Sequence, residues 1–338
     1  MYKKLFFSVM LGLVVASSGV VNAKSYKLAT ISPDGLGWMK KFRDGTKEIA
    51  EATDGRVKFK IYPGGVQGDD YTVLRKMRIG QLHGGVMTAS SLTRFFPDLQ
   101  VYNLPLQFRN SDEIDFVREN MDQRIIDGLA ESGMVSFNLT ETGFAYILSK
   151  KPISSLDDLK NAKTWVPDGD PISAKLVQSF GISPIPLPII DVLAGLQTGL
   201  IDTVIVPPIV AIALQWHNQV AYMTDLPVLY IYSMLAMSEK SFNSIAESDQ
   251  KVVTDVFNRV FDEVDADNRI DNKKAYDALV TQGLKVITPA TEDSASWREI
   301  AEVSIANLVA EGEMSQESVD LLRANLAEVR GDDAQSAP

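Results

Sequence analysis

From Ser248 to Gln282, the residues Val252, Val253, Val256, Phe257, Val260, Phe261 and Val264 recur at spacings of three and four. That period predicts one long amphipathic helix, about 50 Å if continuous at roughly 1.5 Å per residue. A helix of that length is long enough to lie across two lobes, and a chain of 338 residues is the size at which two lobes are expected.

Upstream, strand signals alternate with helical ones, the pattern of an α/β protein with largely parallel strands. Tyr26 to Ile31 reads as a strand, followed by a Pro33-Asp34-Gly35 turn and a helix through Phe42, Ile49 and Ala50. Val57 to Tyr62 is a second strand, a helix spans about Asp69 to Ile79 with Gly80 as its stop, and Gly84 to Thr88 is a short strand. Asn110 with Glu113 predicts a capping box opening a helix over Ile114 to Asn120. Val135 to Thr140, Tyr146 to Ser149, Lys163 to Val166, Ile201 to Val206 and Lys285 to Ile287 are strand-like. A short helical turn follows Ser155, another helix covers about Ile189 to Thr198, and two helices close the chain, the first opened by Ser296 and Glu299 as a capping box.

Lys3 and Lys4 precede an apolar run from Leu5 to Val15, and Val21-Asn22-Ala23 closes the segment with small residues. This reads as a cleavable export signal over residues 1–23, since the apolar run is about half of the roughly 20 residues a membrane span needs. The chain has no cysteine, which removes lipid attachment through a thiol and disulfide stabilisation. Loss of the leader takes two lysines and no acid, moving the net charge from −11 to about −13. A nucleic-acid partner is not expected, because phosphate binding needs clustered cations. Residues 331–338 read as a disordered tail.

The inventory for catalysis is thin. Two histidines, His83 and His217, and no thiol leave no common zinc site. No Gly-x-Ser-x-Gly elbow occurs, and Gly64-Gly65-Val66-Gln67-Gly68 lacks the Lys-Ser/Thr ending of a phosphate loop. No catalytic residue, metal or cofactor is expected. Most carboxylates belong to a solvated surface; Asp168 and Asp170 stand out because they follow a strand end beside Trp165.

The segments Gly55-Arg56-Val57 with Tyr62 to Gly68, Leu74 to Leu82, Leu104 to Arg109, Ser149 to Lys160 and Asp191 to Asp202, in this order, resemble the DctP-type receptors of tripartite ATP-independent periplasmic (TRAP) transporters. The resemblance covers roughly Lys24 to Pro289. It implies an α/β, two-lobed periplasmic-binding-protein fold with mixed sheets, crossing strands and a long helix spanning both lobes. Lobe I would be residues 24–148 with 232–265, and lobe II 149–231 with 266–330. A small-molecule ligand would sit between lobes that close by a hinge. The partners would be the small and large integral membrane subunits of such a transporter, in the periplasm of a Gram-negative bacterium, with an ion gradient driving uptake.

The departures from that pattern concern the ligand. Where most relatives carry a carboxylate-binding arginine this chain has Trp165, Val206 stands in place of a polar residue, and Ala145 occupies a third position that is often arginine. A carboxylate entering such a cleft would be desolvated without a partner, at a cost of several kcal/mol. The matched motifs place Trp38, Gln67, Thr88, Ala89 and Ser90 on one side of the cleft and Phe144, Trp165, Asp170, Val206 and Trp216 on the other. Trp38, Phe144, Trp165 and Trp216 would supply apolar contact, while Gln67, Thr88, Ser90 and Asp170 would orient a hydroxyl, amide or amine. The expected ligand is therefore a small apolar or weakly polar organic molecule. Three readings compete: an organic-acid receptor with a relocated cation, Arg94 or Arg109; a periplasmic α/β hydrolase; and a hydrophobic carrier independent of any transporter.

Overall fold

The structure, a computed structural model, describes residues 24–331; the expected leader and residues 332–338 lie outside them. Strand β1 (Lys24–Ala29), helix α1 (Gly37–Ala52), β2 (Val57–Tyr62), α2 (Asp70–Arg78), β3 (Gly84–Thr88) and the short α3 (Ala89–Leu92) open the chain. A 3-10 segment, Pro97–Asn103, leads to α4 (Ser111–Glu131), β4 (Met134–Ser136) and β5 (Thr140–Ser149). Next come α5 (Leu156–Lys160), β6 (Trp165–Pro167), α6 (Pro171–Ser179), β7 (Ile185–Leu187), α7 (Val192–Thr198), β8 (Thr203–Val206) and α8 (Pro208–Ala213). The chain closes with β9 (Tyr222–Ser238), α9 (Glu239–Phe242), α10 (Glu247–Thr281), β10 (Lys285–Ile287), α11 (Thr291–Ala310) and α12 (Gln316–Arg330).

One mixed sheet runs β2-β1-β3-β9-β5-β8, with β4 and β10 also on β9. β1, β2 and β3 are parallel, whereas β9 is antiparallel to both β3 and β5. The axis of the molecule is β9, whose 17 residues extend about 55 Å at roughly 3.3 Å per residue. Its C-terminal part pairs β3 and its N-terminal part pairs the end of β5, so β9 and β5 cross from one half of the protein to the other. A separate parallel pair, β6 and β7, is joined to the large sheet by a bridge from Thr164 to Thr203.

The long helix occurs as its periodicity predicts, with 35 residues. Val253 to Val264 pack with α1, where Phe42 lies 5.6 Å from Phe257 and 5.7 Å from Phe261. Leu279, near the other end, belongs to a different core with Trp165, Val192, Val204 and Met223. A single helix thus contributes to two cores. C-terminal α12 packs on α4 through Val319, Leu322 and Leu326.

Two capping predictions need correction. Asn110 does cap α4 by accepting from Glu113 N at 3.0 Å, but the helix runs to Glu131 and Glu113 does not complete a box. Its carboxylate accepts from Arg109 N and pairs with Arg330. Ser296 and Glu299 open no helix, because α11 begins at Thr291 and Ser296 donates to Asp293 O within it. The first strand is also displaced, ending at Ala29 rather than Ile31, which frees Thr30 to Pro33 for the loop above the sheet.

Candidate functional site

A cavity of about 310 Å³ opens where β1, β3, β5, β6, β8 and β9 meet the first turns of α2 and α6. That volume falls within the range of small-molecule sites, roughly 300–1,000 Å³. One wall is polar: Thr30 and Ser32 after β1, Asp69 to Tyr71 entering α2, Thr88 and Ser90 after β3, and Thr140, Thr142 and Ser233 from the crossing strands. Facing it are Trp165 and Val166, Ile205 and Val206, Ile209, Val210, Leu176 and Val177.

Of the residues expected from the motifs, Trp38, Thr88, Ser90, Trp165 and Val206 line this cavity, and Gln67, Ala89, Phe144, Asp170 and Trp216 do not. Gln67 is turned back onto α2, where its Oε1 accepts from Lys76 Nζ at 2.9 Å. Ala89 is fully buried beneath the wall. Trp216 stands behind Trp165, the two rings meeting edge to face at 5.3 Å. Asp170 is buried as the N-cap of α6, accepting from Ser173 N at 3.0 Å and Ser173 Oγ at 2.7 Å.

Phe144 is displaced by a bulge. Glu141 pairs with Tyr232 and Gly143 with Ile231, leaving Thr142 without an opposite number. An extra residue reverses the alternation of faces, so Phe144 packs edge to face on Tyr230 instead of entering the cavity. Gly143 has φ +116, and a Cβ there would stand 2.4 Å from Asn272 Nδ2. That Nδ2 donates to Thr142 O at 2.7 Å, so α10 holds the bulge that presents Thr142 to the cavity.

Trp165 both packs in the core and borders the cavity. Its indole is 6% exposed, packs in the core with Trp216, and donates from Nε1 to Leu187 O at 2.9 Å. Its remaining edge lines the cavity. Ala145, opposite Leu229 in the sheet, is fully buried.

Among the described residues, the wall carries three charged side chains, Asp69, Asp70 and Asp168, and no lysine, arginine or histidine. Arg94 and Arg109 are exposed and outside the wall, the Arg94 guanidinium lying 4.7 Å over the Phe95 ring. His217 is tied to Ala211 O at 3.0 Å, a structural contact. Arg75 and Arg78 are on the exposed face of α2; Arg75 donates to Thr72 Oγ1 rather than pairing with an acid.

Asp70 accepts from Thr88 N at 3.0 Å and Thr88 Oγ1 at 2.9 Å, and burial pushes its carboxyl up to about 6 against those two donors. Burial likewise raises Asp170. It raises the Tyr71 phenol too, helped by the negative charges of Asp170, Asp70 and Asp69. The first turns of α2 and α6 lie in the wall, where free N–H groups would attract an anion. Asp69 and Asp170 already cap them, so those dipoles are answered from within the protein.

The family profile described as DctP, bacterial extracellular solute-binding protein, family 7, matches residues 26–311. The chain belongs to that family. A solute-binding protein of Chromohalobacter salexigens is 26% identical over 197 residues, an alignment covering 57% of this chain and 58% of that protein. The 2,3-diketo-L-gulonate-binding periplasmic protein of Escherichia coli is 22% identical over 254 residues, covering 74% and 75% of the two chains. Among solved structures, the sugar acid binding protein of Advenella mimigardefordensis in complex with galactonate superposes with a TM-score of 0.83 at 20% identity, over 91% of this chain and 99% of that one. The DctP fold is thereby shown as a two-lobed α/β architecture. No described helix of this DctP protein is long and apolar enough to cross a membrane.

The residues that motif reading missed are mainly polar ones in loops and at helix ends: Thr30, Ser32, Asp70, Tyr71 and Asn103. Asp70 carried a signal in hindsight, as the second of two adjacent acids at a helix start. Asn268, on the wall from α10, carried none beyond a polar side chain in a long helix.

Proposed function

We propose that this DctP protein is an exported receptor that captures a small apolar or weakly polar organic ligand, without a carboxylate, and delivers it to a TRAP-type importer. The observation that carries the ligand reading is the cation-free wall, which holds Trp165, Val206 and three aspartates. The relatives named for 2,3-diketo-L-gulonate and galactonate bind acids. A pocket that pairs an acid needs a buried cation or free helix N–H groups, and here the first are outside the wall and the second are capped.

The reading includes periplasmic export through the leader, handover to small and large membrane subunits, and closure of lobe I (24–148 with 232–265) onto lobe II (149–231 with 266–330). Because α12 packs on α4, the C-terminal part of lobe II would be tethered to lobe I during that closure. Trp38, Thr88, Ser90, Trp165 and Val206 would touch ligand directly. Gln67, Ala89, Phe144, Asp170 and Trp216 would support them from behind.

A second reading has one observation in its favour: the positive charge of Arg94 reaches Tyr71, a wall residue. On closure Arg94 would then serve an organic acid as the relocated cation. Thermal unfolding of the mature protein with galactonate, succinate, neutral aromatics and alkyl alcohols separates the two. Saturating ligand at about 100 times Kd adds roughly 2.7 kcal/mol, so a true ligand raises the midpoint clearly. Stabilisation by neutral compounds alone is expected; stabilisation by galactonate or succinate that Arg94→Ala abolishes would establish the second reading instead.

A further inference from the structure

The cavity does not end at the cleft. It continues into the core cluster of Ile147, Leu159, Ile182, Val228 and Trp297, with Val177 and Phe180 beside it. The five cluster members are each less than a tenth exposed, so this part of the cavity is walled by core residues. Water there would face hydrocarbon and find few partners. The other end carries the hydroxyls and carboxylates that follow β1 and β3. A single compact polar solute would leave the deep end empty.

Two residues that line the cavity each carry a buried polar atom with no partner among the described residues: Asn103 Oδ1, in a residue 9% exposed, and Trp297 Nε1, in a residue 1% exposed. Buried polar groups in folded proteins are nearly always satisfied, and an orphan costs the full desolvation of that atom. Asn103 Oδ1 accepts only, so its missing partner is an N–H or O–H group. Trp297 Nε1 donates only.

We propose that the ligand is amphipathic, with a hydrocarbon segment entering between Leu159, Val177, Phe180, Ile182 and Trp297 and an ammonium or hydroxyl head donating a hydrogen bond to Asn103 Oδ1 as that amide turns toward the cavity. This deepens the receptor reading and rests on it. The absence of cations from the wall, and the three aspartates in it, favour a head without negative charge. The proposal differs from a merely apolar ligand in demanding an orientation: chain inward, donor toward Asn103.

The test is a calorimetric series of n-alkyl amines, alcohols and carboxylates from butyl to octyl on the full mature chain. Each added methylene should tighten the amines and alcohols by about fourfold until the deep end is full, while the carboxylates of equal length bind more weakly. Val177→Phe, which narrows the deep end, should end the rise at a shorter chain. Asn103→Leu should weaken every amine and alcohol about tenfold without lowering the ligand-free unfolding midpoint, since no hydrogen bond within the protein is lost. A flat dependence on chain length, carboxylates binding as well as amines, or no binding of either amines or alcohols would each overturn the proposal. A flat series together with tight binding of a compact neutral ring would overturn it and leave the receptor reading standing, whereas tight binding of galactonate would sink the acid-free specificity itself.

Discussion

Two sets of buried or partly buried carboxylates lie on opposite faces of the crossing strands β5 and β9, and they are treated differently. On the face away from the cavity, Arg118 holds Asp122 at 3.1 Å and Asp265 at 2.9 Å, and Arg269 holds Glu141 at 2.8 Å. Arg118 also donates to Leu139 O, and Tyr230 donates to Glu141. On the cavity side Asp70 and Asp170 are met only by amides and hydroxyls. The first set is a network in which two arginines hold three carboxylates, and it locks α4, β5 and α10 together. In the second set no cation answers the carboxylates, and Asp70 lines the cavity itself. The protein thus has arginines to spend on buried acids and spends them away from the cleft.

The comparison breaks most severely at Arg118. Arg118→Met leaves Asp122 and Asp265, both partly buried, without a counter-charge, which should cost about 3 kcal/mol, the lower end for a broken buried pair, in urea unfolding. Trp165→Ala, on the cavity side, removes packing against Trp216 and the bond to Leu187 O. It should cost about 3 kcal/mol, the low end for a tryptophan because part of the ring already borders open space.

Asp70 sharpens the contrast through pH. Its folded carboxyl, pushed up to about 6, binds a proton more tightly than an unfolded one at roughly 4. Its contribution is therefore fully present below about pH 4 and lost as pH rises through about 6, a decline of roughly 2–3 kcal/mol. Asp70→Asn should lack that decline, so the unfolding free energies of the two proteins should diverge between about pH 4 and pH 7. The mildest expected effect is at an exposed pair on α10: Lys251→Ala removes a contact to Asp255 and should change stability by less than about 0.5 kcal/mol. A larger loss there would mean that fully solvated charges matter to this fold, erasing the distinction drawn between its two buried sets.

Elements governed by local period were legible from residues alone. Val57–Tyr62, Gly84–Thr88 and Lys285–Ile287 fall where their apolar runs and flanking turns put them, and α10 spans its full predicted length. The strand that organises the sheet, β9, was not legible: Pro227 interrupts it, and its burial changes from alternating to continuous along its length, so no one period describes it. Phe144 was misplaced for a related reason. Side-chain direction beyond a bulge depends on the pairing partner, and the register shift near Gly143 exists only once β9 is beside β5.

What the chain determined by itself is the class of protein: an α/β body with a helix across two cores, family motifs in order, and no cation at Trp165, Val206 or Ala145. Those follow from local propensity and from residue identity, which need no neighbours. Tertiary structure decided which polar groups stay unanswered. Whether Asn103 Oδ1 finds a partner, whether Asp70 is buried, and whether Leu159 and Trp297 enclose a space are sums over residues distant in sequence, and only packing performs that sum.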